Sequence, residues 1–439
     1  MLIMRTPALA AVLLVAACGA GGDEAADAPS LDEPPASVPP VLAKAPVRPE
    51  GSVSVPPRPS APPFHMVRYD VNQILSTGQS LAVGASSVAE SITQPYGNLM
   101  LAFGVQAPRG FDQQFVPLIE WNVETMSSAL ANELTELAAK EGVADFVSLV
   151  SIHAGGGTPY SGIMKGTEFY VRGMGQVKGA RDRAKLNGQT HVVRAVTSVH
   201  GESDNAAHSP TYASDIVTWQ RDYETDVRAI TGQALPVPMF HTQNSQNGQS
   251  RIPLDMLAAH VAAPGKVVLV GPKYHLAYAD GTHLTTASYK HLGEDYAKAY
   301  RRVVLQGETW EPVRPKSVTR CGKEITIVFF VPSPPLVLDT SRVAATAHFG
   351  FGYVEASNEI AKPAPAGQSP TVASVTVTAP DTVVVTLSAA PTTPGRVRYA
   401  IDYVDPDGPR GNLRDSDRTP SRFGFDLFNW GVQFEENVP

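Results

Sequence analysis

The chain has 439 residues, a length that suits two domains with appendages, and 43% of them are hydrophobic, enough to build a sizeable core. Its formal net charge is -7 and no Lys/Arg run occurs, which excludes a nucleic-acid footprint and a polybasic patch for anionic lipid. With only Cys18 and Cys321 there is no disulfide framework, and no spacing reads as a zinc-ligand cluster.

Residues 1–18, MLIMRTPALAAVLLVAAC, combine Arg5 with an apolar run too short to span a bilayer. They read as an export signal. Val15-Ala16-Ala17-Cys18 places small residues before a cysteine, as a lipobox does. Lipidation of Cys18 is therefore expected, with the chain held at the cell envelope, the outer membrane being favoured because Gly19 is not acidic. An ordinary signal peptide with a nearby cysteine is the alternative. Residues 19–65 are rich in Ala, Pro, Gly and acidic residues, without apolar periodicity, and are expected to be a disordered tether. Its reach is roughly 140 Å extended, or roughly 35–40 Å as a coil.

From Met66 the pattern becomes that of a folded chain. Val71 to Leu75 reads as a strand that enters Gly78-Gln79-Ser80. Residues 121–141 have helical spacing, with Gly142 placed to end the helix. Three further strands are expected at 145–153, 192–199 and 237–241, and a fourth at 267–270, with helices at 210–232 and 285–302. Strands alternating with helices imply a mostly parallel sheet covered on both faces, an α/β fold whose ligands bind at the carboxyl ends of the strands. Four Gly-rich or polar segments fall at those ends: 78–80, 155–158, 200–205 and 243–247. Their clustering at one edge points to an active site more firmly than any one of them does.

From about Trp310 the runs become β-branched, as in EITIVFFV (324–331) and TVVVTL (382–387), between Pro-, Ser- and Gly-rich turns. This reads as a β-rich, sandwich-like accessory domain, giving boundaries of 66–307 for the α/β part and 308–439 for the β part. Its role is either to shield and stabilise or to bind polysaccharide through Tyr353, Tyr399, Tyr403 and Trp430. Cys321 reads as a small strand residue.

A serine hydroxyl becomes a nucleophile only with a base, a group that orients the base, and donors for the oxyanion. Ser80 sits just after a strand and before an expected helix whose N-terminal amides would face it. Asp280 lies three residues before His283, close enough to reach its ring in a loop that leads into a helix.

Gly78-Gln79-Ser80, Gly156-Gly157-Thr158, Gly201-Glu202-Ser203-Asp204 and Asp280-Gly281-Thr282-His283-Leu284-Thr285 occur in the order of SGNH hydrolase blocks. Over residues 70–307 the chain resembles the sialate O-acetylesterase and acetylxylan esterase branch of that superfamily. The resemblance implies a three-layer α/β/α sandwich and hydrolysis of an ester on an acetylated carbohydrate, without a metal or organic cofactor. It implies that Ser80 is nucleophile, His283 general base and Asp280 its partner. It also implies an oxyanion hole from the amides of Ser80 and Gly156, with His200 at a position where the branch usually has Gln. Gln79, Gly157, Glu202 and Gln243 are expected around the substrate. Glu202 and Asp204 would otherwise brace their loop, and Gln243 and Asn244 would otherwise cap a strand. A lipid or thioester hydrolase, and a non-catalytic surface glycan-binding protein, are the competing readings.

Overall fold

The computed structural model describes residues 67–107, 114–207, 209–245, 250–402 and 408–439. The export signal, Cys18, the 19–65 tether and Tyr403 lie outside the described residues. Among the described residues no helix is long and apolar enough to cross a membrane.

The α/β part runs β1 (Val71–Gly78), β2 (Leu99–Leu101), β3 (Phe115–Pro117), α1 (Ser127–Lys140), β4 (Ser148–Ile152), α2 (Tyr160–Ile163), α3 (Glu168–Leu186) and β5 (His191–Val199). It continues through α4 (Glu202–Ala206), α5 (Tyr212–Thr231), β6 (Met239–His241), α6 (Ile252–Ala262), β7 (Val267–Leu269) and α7 (Thr286–Tyr300). The sheet order is β3-β2-β4-β1-β5-β6-β7. Every pairing is parallel except that of β2 with β3. β1 is central and buried along its whole length, which is why it carries no solvent-facing alternation.

Two apolar layers flank the sheet. On one side Ile74 and Val150 join Leu130 and Leu134 of α1 and Leu292 and Tyr296 of α7. α1 and α7 pack closely because of Gly293: a Cβ there would stand 2.5 Å from the Met126 carbonyl oxygen. On the other side Leu75, Val193 and Val196 join Val177 of α3, Trp219 and Tyr223 of α5, and Met256 of α6. α3 and α6 were not expected from the sequence. α3 has seven charged residues among nineteen positions, which blurs its apolar stripe. The 121–141 helix is shorter than its periodicity suggests, starting at Ser127, while Gly142 does end it at φ 86°.

The β-rich part contains β8 (Arg314–Cys321), β9 (Glu324–Phe330), β10 (Val337–Leu338), β11 (Phe351–Glu355), β12 (Val372–Ala379), β13 (Thr382–Leu387), β14 (Gly395–Tyr399), β15 (Leu413–Arg414) and β16 (Phe434–Val438). These form antiparallel sheets ordered β12-β13-β9-β8, β11-β14-β16 and β10-β15. Ile325, Phe329 and Val383 from the first meet Phe351, Tyr399 and Phe434 from the second in one core. That core is continuous with the α5–α6 side of the α/β sheet. Trp310 reinforces the junction by donating its indole N–H to the Leu269 carbonyl of β7 at 2.9 Å. Tyr353, Tyr399 and Trp430 are buried, so they pack this core and offer no face for sugar stacking. Cys321 ends β8 and is exposed.

Candidate active site

β1 delivers Ser80 through a turn that only glycine permits. Gly78 has φ 134°, and a Cβ there would lie 2.1 Å from the Val199 carbonyl oxygen of β5. Beyond Ser80 the chain makes hydrogen-bonded turns, Ala82 N–H to Gln79 and Ala85 N–H to Ser80, where the sequence suggested a helix. Helix-end amides therefore do not face the serine. Its own amide and that of Gly156 donate to no carbonyl among the described residues. Gly156 is exposed, and a Cβ on it would stand 4.0 Å from the Ser80 Cβ.

Asp280 and His283 come from a tight loop between β7 and α7. It is closed by the Ala279 N–H to the His283 carbonyl at 2.7 Å and by the Thr285 N–H to the Ala277 carbonyl at 3.1 Å. Within it Asp280 Oδ1 accepts the amides of Thr282 at 2.8 Å and His283 at 2.7 Å. Asp280 Oδ2 lies 2.9 Å from His283 Nδ1, and His283 Nε2 lies 2.9 Å from Ser80 Oγ. The backbone and ring donors of His283, with Thr282 and Ser86, hold the Asp280 carboxyl far below the usual carboxylate range. An anionic Asp280 can only accept, so Nδ1 carries the proton and the Nε2 lone pair faces the serine.

Ser86 was missed by sequence reasoning. Its hydroxyl donates to Asp280 Oδ2 at 2.9 Å, and its backbone is in the left-handed region at φ 65°. A serine six residues past Ser80 has no sequence signal of its own; only the turns after β1 bring it to the Asp280 loop.

Four of the expected contributors take other places. His200 was expected to supply an oxyanion donor. Its Nε2 instead donates to the Thr158 carbonyl at 3.0 Å, which obliges Nδ1 to accept the Tyr212 hydroxyl at 2.7 Å. Burial pushes the imidazole down to about 4, so it stays neutral, with both nitrogens committed. Glu202 was expected at the substrate, but it is buried and pairs with the fully buried Lys273 at 3.0 Å. Gln79, also buried, accepts the Ser203 amide at 3.1 Å and ties the Ser80 turn to α4. Gly157 does lie on the open side, exposed with φ 64°.

Gln243 is the fourth. It is fully buried and donates to the carbonyls of Pro253 at 2.8 Å and Gln433 at 3.0 Å, while accepting the Gln433 amide at 2.8 Å. It clamps the approach to β16 onto the end of β6 instead of lining a pocket. Gln243→Ala should lower unfolding free energy by about 2 kcal/mol, because it strands buried backbone groups of residues 253 and 433. Denaturant titration checks this, and an unchanged midpoint would contradict the clamp.

Burial lifts the Asp204 carboxyl to about 6. It accepts the Tyr160 amide at 3.0 Å, so it braces the 155–160 segment beside Ser80.

Comparison with known proteins bears on the family and the fold. Residues 77–302 match the model of a family described as carbohydrate esterase, sialic acid-specific acetylesterase. No curated protein matches the chain. Among solved structures, a carbohydrate acetylesterase from Xanthomonas citri superposes with a TM-score of 0.52 at 16% identity, covering 83% of this chain and 80% of that one. A protein from Arabidopsis thaliana has a TM-score of 0.40 at 18% identity, covering 52% of this chain and 97% of its own. Est24, a carbohydrate acetylesterase from Sinorhizobium meliloti, has a TM-score of 0.32 at 13% identity, with 52% and 97% covered. The family match spans the Ser80 turn and the Asp280–His283 loop and covers half of the chain, and on that match the chain belongs to the sialic acid-specific acetylesterase family of carbohydrate esterases.

Proposed function

We propose that the protein is a serine O-acetylesterase that releases acetate from an acetylated glycan through an acyl-enzyme. The observation that carries this reading is the unbroken chain Asp280–His283–Ser80, with 2.9 Å at each step. His283 Nε2 takes the Ser80 proton as Oγ attacks the acetyl carbonyl. The free amides of Ser80 and Gly156 hold the resulting oxyanion, and His200 takes no part in that hole. His283 then returns the proton to the departing sugar oxygen. Water, deprotonated by the same nitrogen, attacks the acetyl-serine, and acetate leaves.

Small and polar groups lie near Ser80: a Cβ on Gly156 would stand 4.0 Å from the Ser80 Cβ, and Ser86 and Asp280 lie against the ring of His283. They suit a short acyl group on a hydrophilic alcohol better than a long lipid chain. We infer in addition that Cys18 anchors the chain by lipid at the cell envelope, on the strength of the lipobox spacing and the tether that follows.

A fluorophosphonate probe should label Ser80 alone, and acetylated oligosaccharides should release acetate faster than p-nitrophenyl esters of rising chain length are cleaved. Labelling at another serine would overturn the nucleophile assignment. A rate that climbs with acyl length would overturn the substrate class.

A further inference from the structure

On the α7 side of the sheet two histidines and an aspartate converge. His275 lies between β7 and the Asp280–His283 loop, and His291 and Asp295 are one turn apart on α7. Their ligand atoms all lie within 4.8 Å of one another. His275 Nε2 is 3.3 Å and His291 Nε2 3.9 Å from the same carboxylate oxygen, Asp295 Oδ2. With metal–ligand bonds of about 2.0–2.2 Å, the edge of a tetrahedral N,O site is about 3.3–3.5 Å. The His275–Asp295 edge already has this length, the His291–Asp295 edge needs a shift of a few tenths of an ångström, and the edge between the two imidazoles, within 4.8 Å, closes by rotation of the rings.

A plain hydrogen bond between His275 and Asp295 would explain one edge. It leaves His291 Nε2 buried with no hydrogen-bond partner, a costly state for a ring nitrogen aimed at a carboxylate. Both rings are held in place, His275 stacked on Trp430 at 6.0 Å and His291 on Phe425 at 4.7 Å. Asp295 Oδ1 faces Lys298 at 3.5 Å, which leaves Oδ2 to the histidines. Asp415 and Asp417 also act on Lys298, so one ammonium faces three carboxylates and the surroundings favour a cation. Beside His275 and Asp295 is a hollow of about 10 Å³, room for one water as a fourth ligand.

We propose that His275, His291 and Asp295 bind one transition-metal dication, zinc by the borderline character of two imidazoles and a carboxylate. The metal fastens the segment that leads to Asp280 and His283 onto α7, and it touches no reacting atom. The site was not legible from spacing, since its ligands come from two segments and none is cysteine.

Chelator-treated full-length protein, titrated with Co2+, should saturate at one equivalent and develop the intense visible absorption of tetrahedral cobalt. Zn2+ should abolish that band and raise Tm by a few degrees. His291→Gln and Asp295→Asn should lose both responses while keeping the far-ultraviolet dichroism of the native protein. If neither variant folds, X-ray absorption of the wild-type Co2+ complex decides, two imidazoles and one carboxylate being the expected shell. Absence of stoichiometric binding, a cobalt shell of another composition, or a band that survives in folded His291→Gln would overturn the proposal.

Discussion

Ser80→Ala should lower kcat on an acetylated substrate by four to six orders of magnitude, on the order of the loss when a triad serine is removed elsewhere. Two things make the expected loss so large. In the proposed reaction Ser80 Oγ accepts the acyl group, and the hydroxyl of Ser86, at φ 65° in the turn beyond it, is already committed to Asp280. The residual rate would come from the amides of Ser80 and Gly156, which the substitution leaves in place. Asp280→Asn should cost about four orders, because an amide can donate to Nδ1 and so favours the wrong tautomer of His283. Both variants should keep the wild-type Tm within a few degrees, since Ser80 is only partly buried and Asp280 is exposed. Single-turnover kinetics with an acetyl ester would read the loss; a Ser80→Ala rate within tenfold of wild type would refute the nucleophile.

The second large effect concerns stability against pH. Glu133 of α1 is fully buried, and neither carboxylate oxygen has a hydrogen-bond partner among the described residues. Burial, with Glu294 beside it, lifts its carboxyl from 4.5 to about 8; Glu136 adds to this, and Lys140 and Arg422 offset part of it. The native state thus holds a proton that the unfolded chain releases between pH 4.5 and 8, so stability falls as pH rises through that window. Burial raises Glu120 to about 7, helped by Glu124, and acts in the same sense.

Buried histidines act in the opposite one. Burial pushes His153 and His241 down to about 3, and His191 and His200 down to about 4. Below pH 6.5 the unfolded chain binds protons that these rings refuse, so stability falls as pH drops from 6.5 through 4. These four histidines outweigh Glu133, Glu120 and Asp204, the last lifted to about 6, in the acid range, and above 6.5 the decline comes from Glu133 and Glu120. Unfolding free energy should therefore peak near pH 6. Glu133→Gln should remove much of the alkaline decline and stabilise the protein at pH 8 by about 3 kcal/mol, each pKa unit being worth about 1.4 kcal/mol. Urea titrations at pH 5, 6 and 8 measure this; a variant curve parallel to wild type would contradict it.

The sequence made the parallel sheet and the Ser80 and Asp280–His283 loops legible because those features are local. β1 runs straight into Gly78-Gln79-Ser80, and Asp280 meets His283 within four residues. What it left hidden depends on which residues lie opposite one another in space. His200 resembled an oxyanion donor by position, yet Thr158 and Tyr212 occupy its nitrogens. Glu202 was open between a place at the substrate and a brace of its loop, and Lys273, 71 positions away and paired with it, makes it a brace. Gln243 read as a polar loop residue, and only its three bonds, two of them to position 433, reveal a clamp. α6 was hidden for another reason: its mix of Ile, Leu, Met and Ala is apolar on nearly every face, since it lies between α5 and the β-rich core.

That clamp bears on how this enzyme can be re-engineered. A residue at the mouth of the catalytic sheet holds the backbone of the last strand, and Tyr274, just upstream of the Asp280 loop, donates its hydroxyl to the Gly431 carbonyl at 2.6 Å. The β-rich part is thus not a detachable module. Exchanging it for a carbohydrate-binding unit from another enzyme would require grafting residues 430–434 along with their receptors on β6 and the 271–276 segment. A chimera joined at the 307 boundary alone would be expected to lose the order of its active-site loops before it lost its fold.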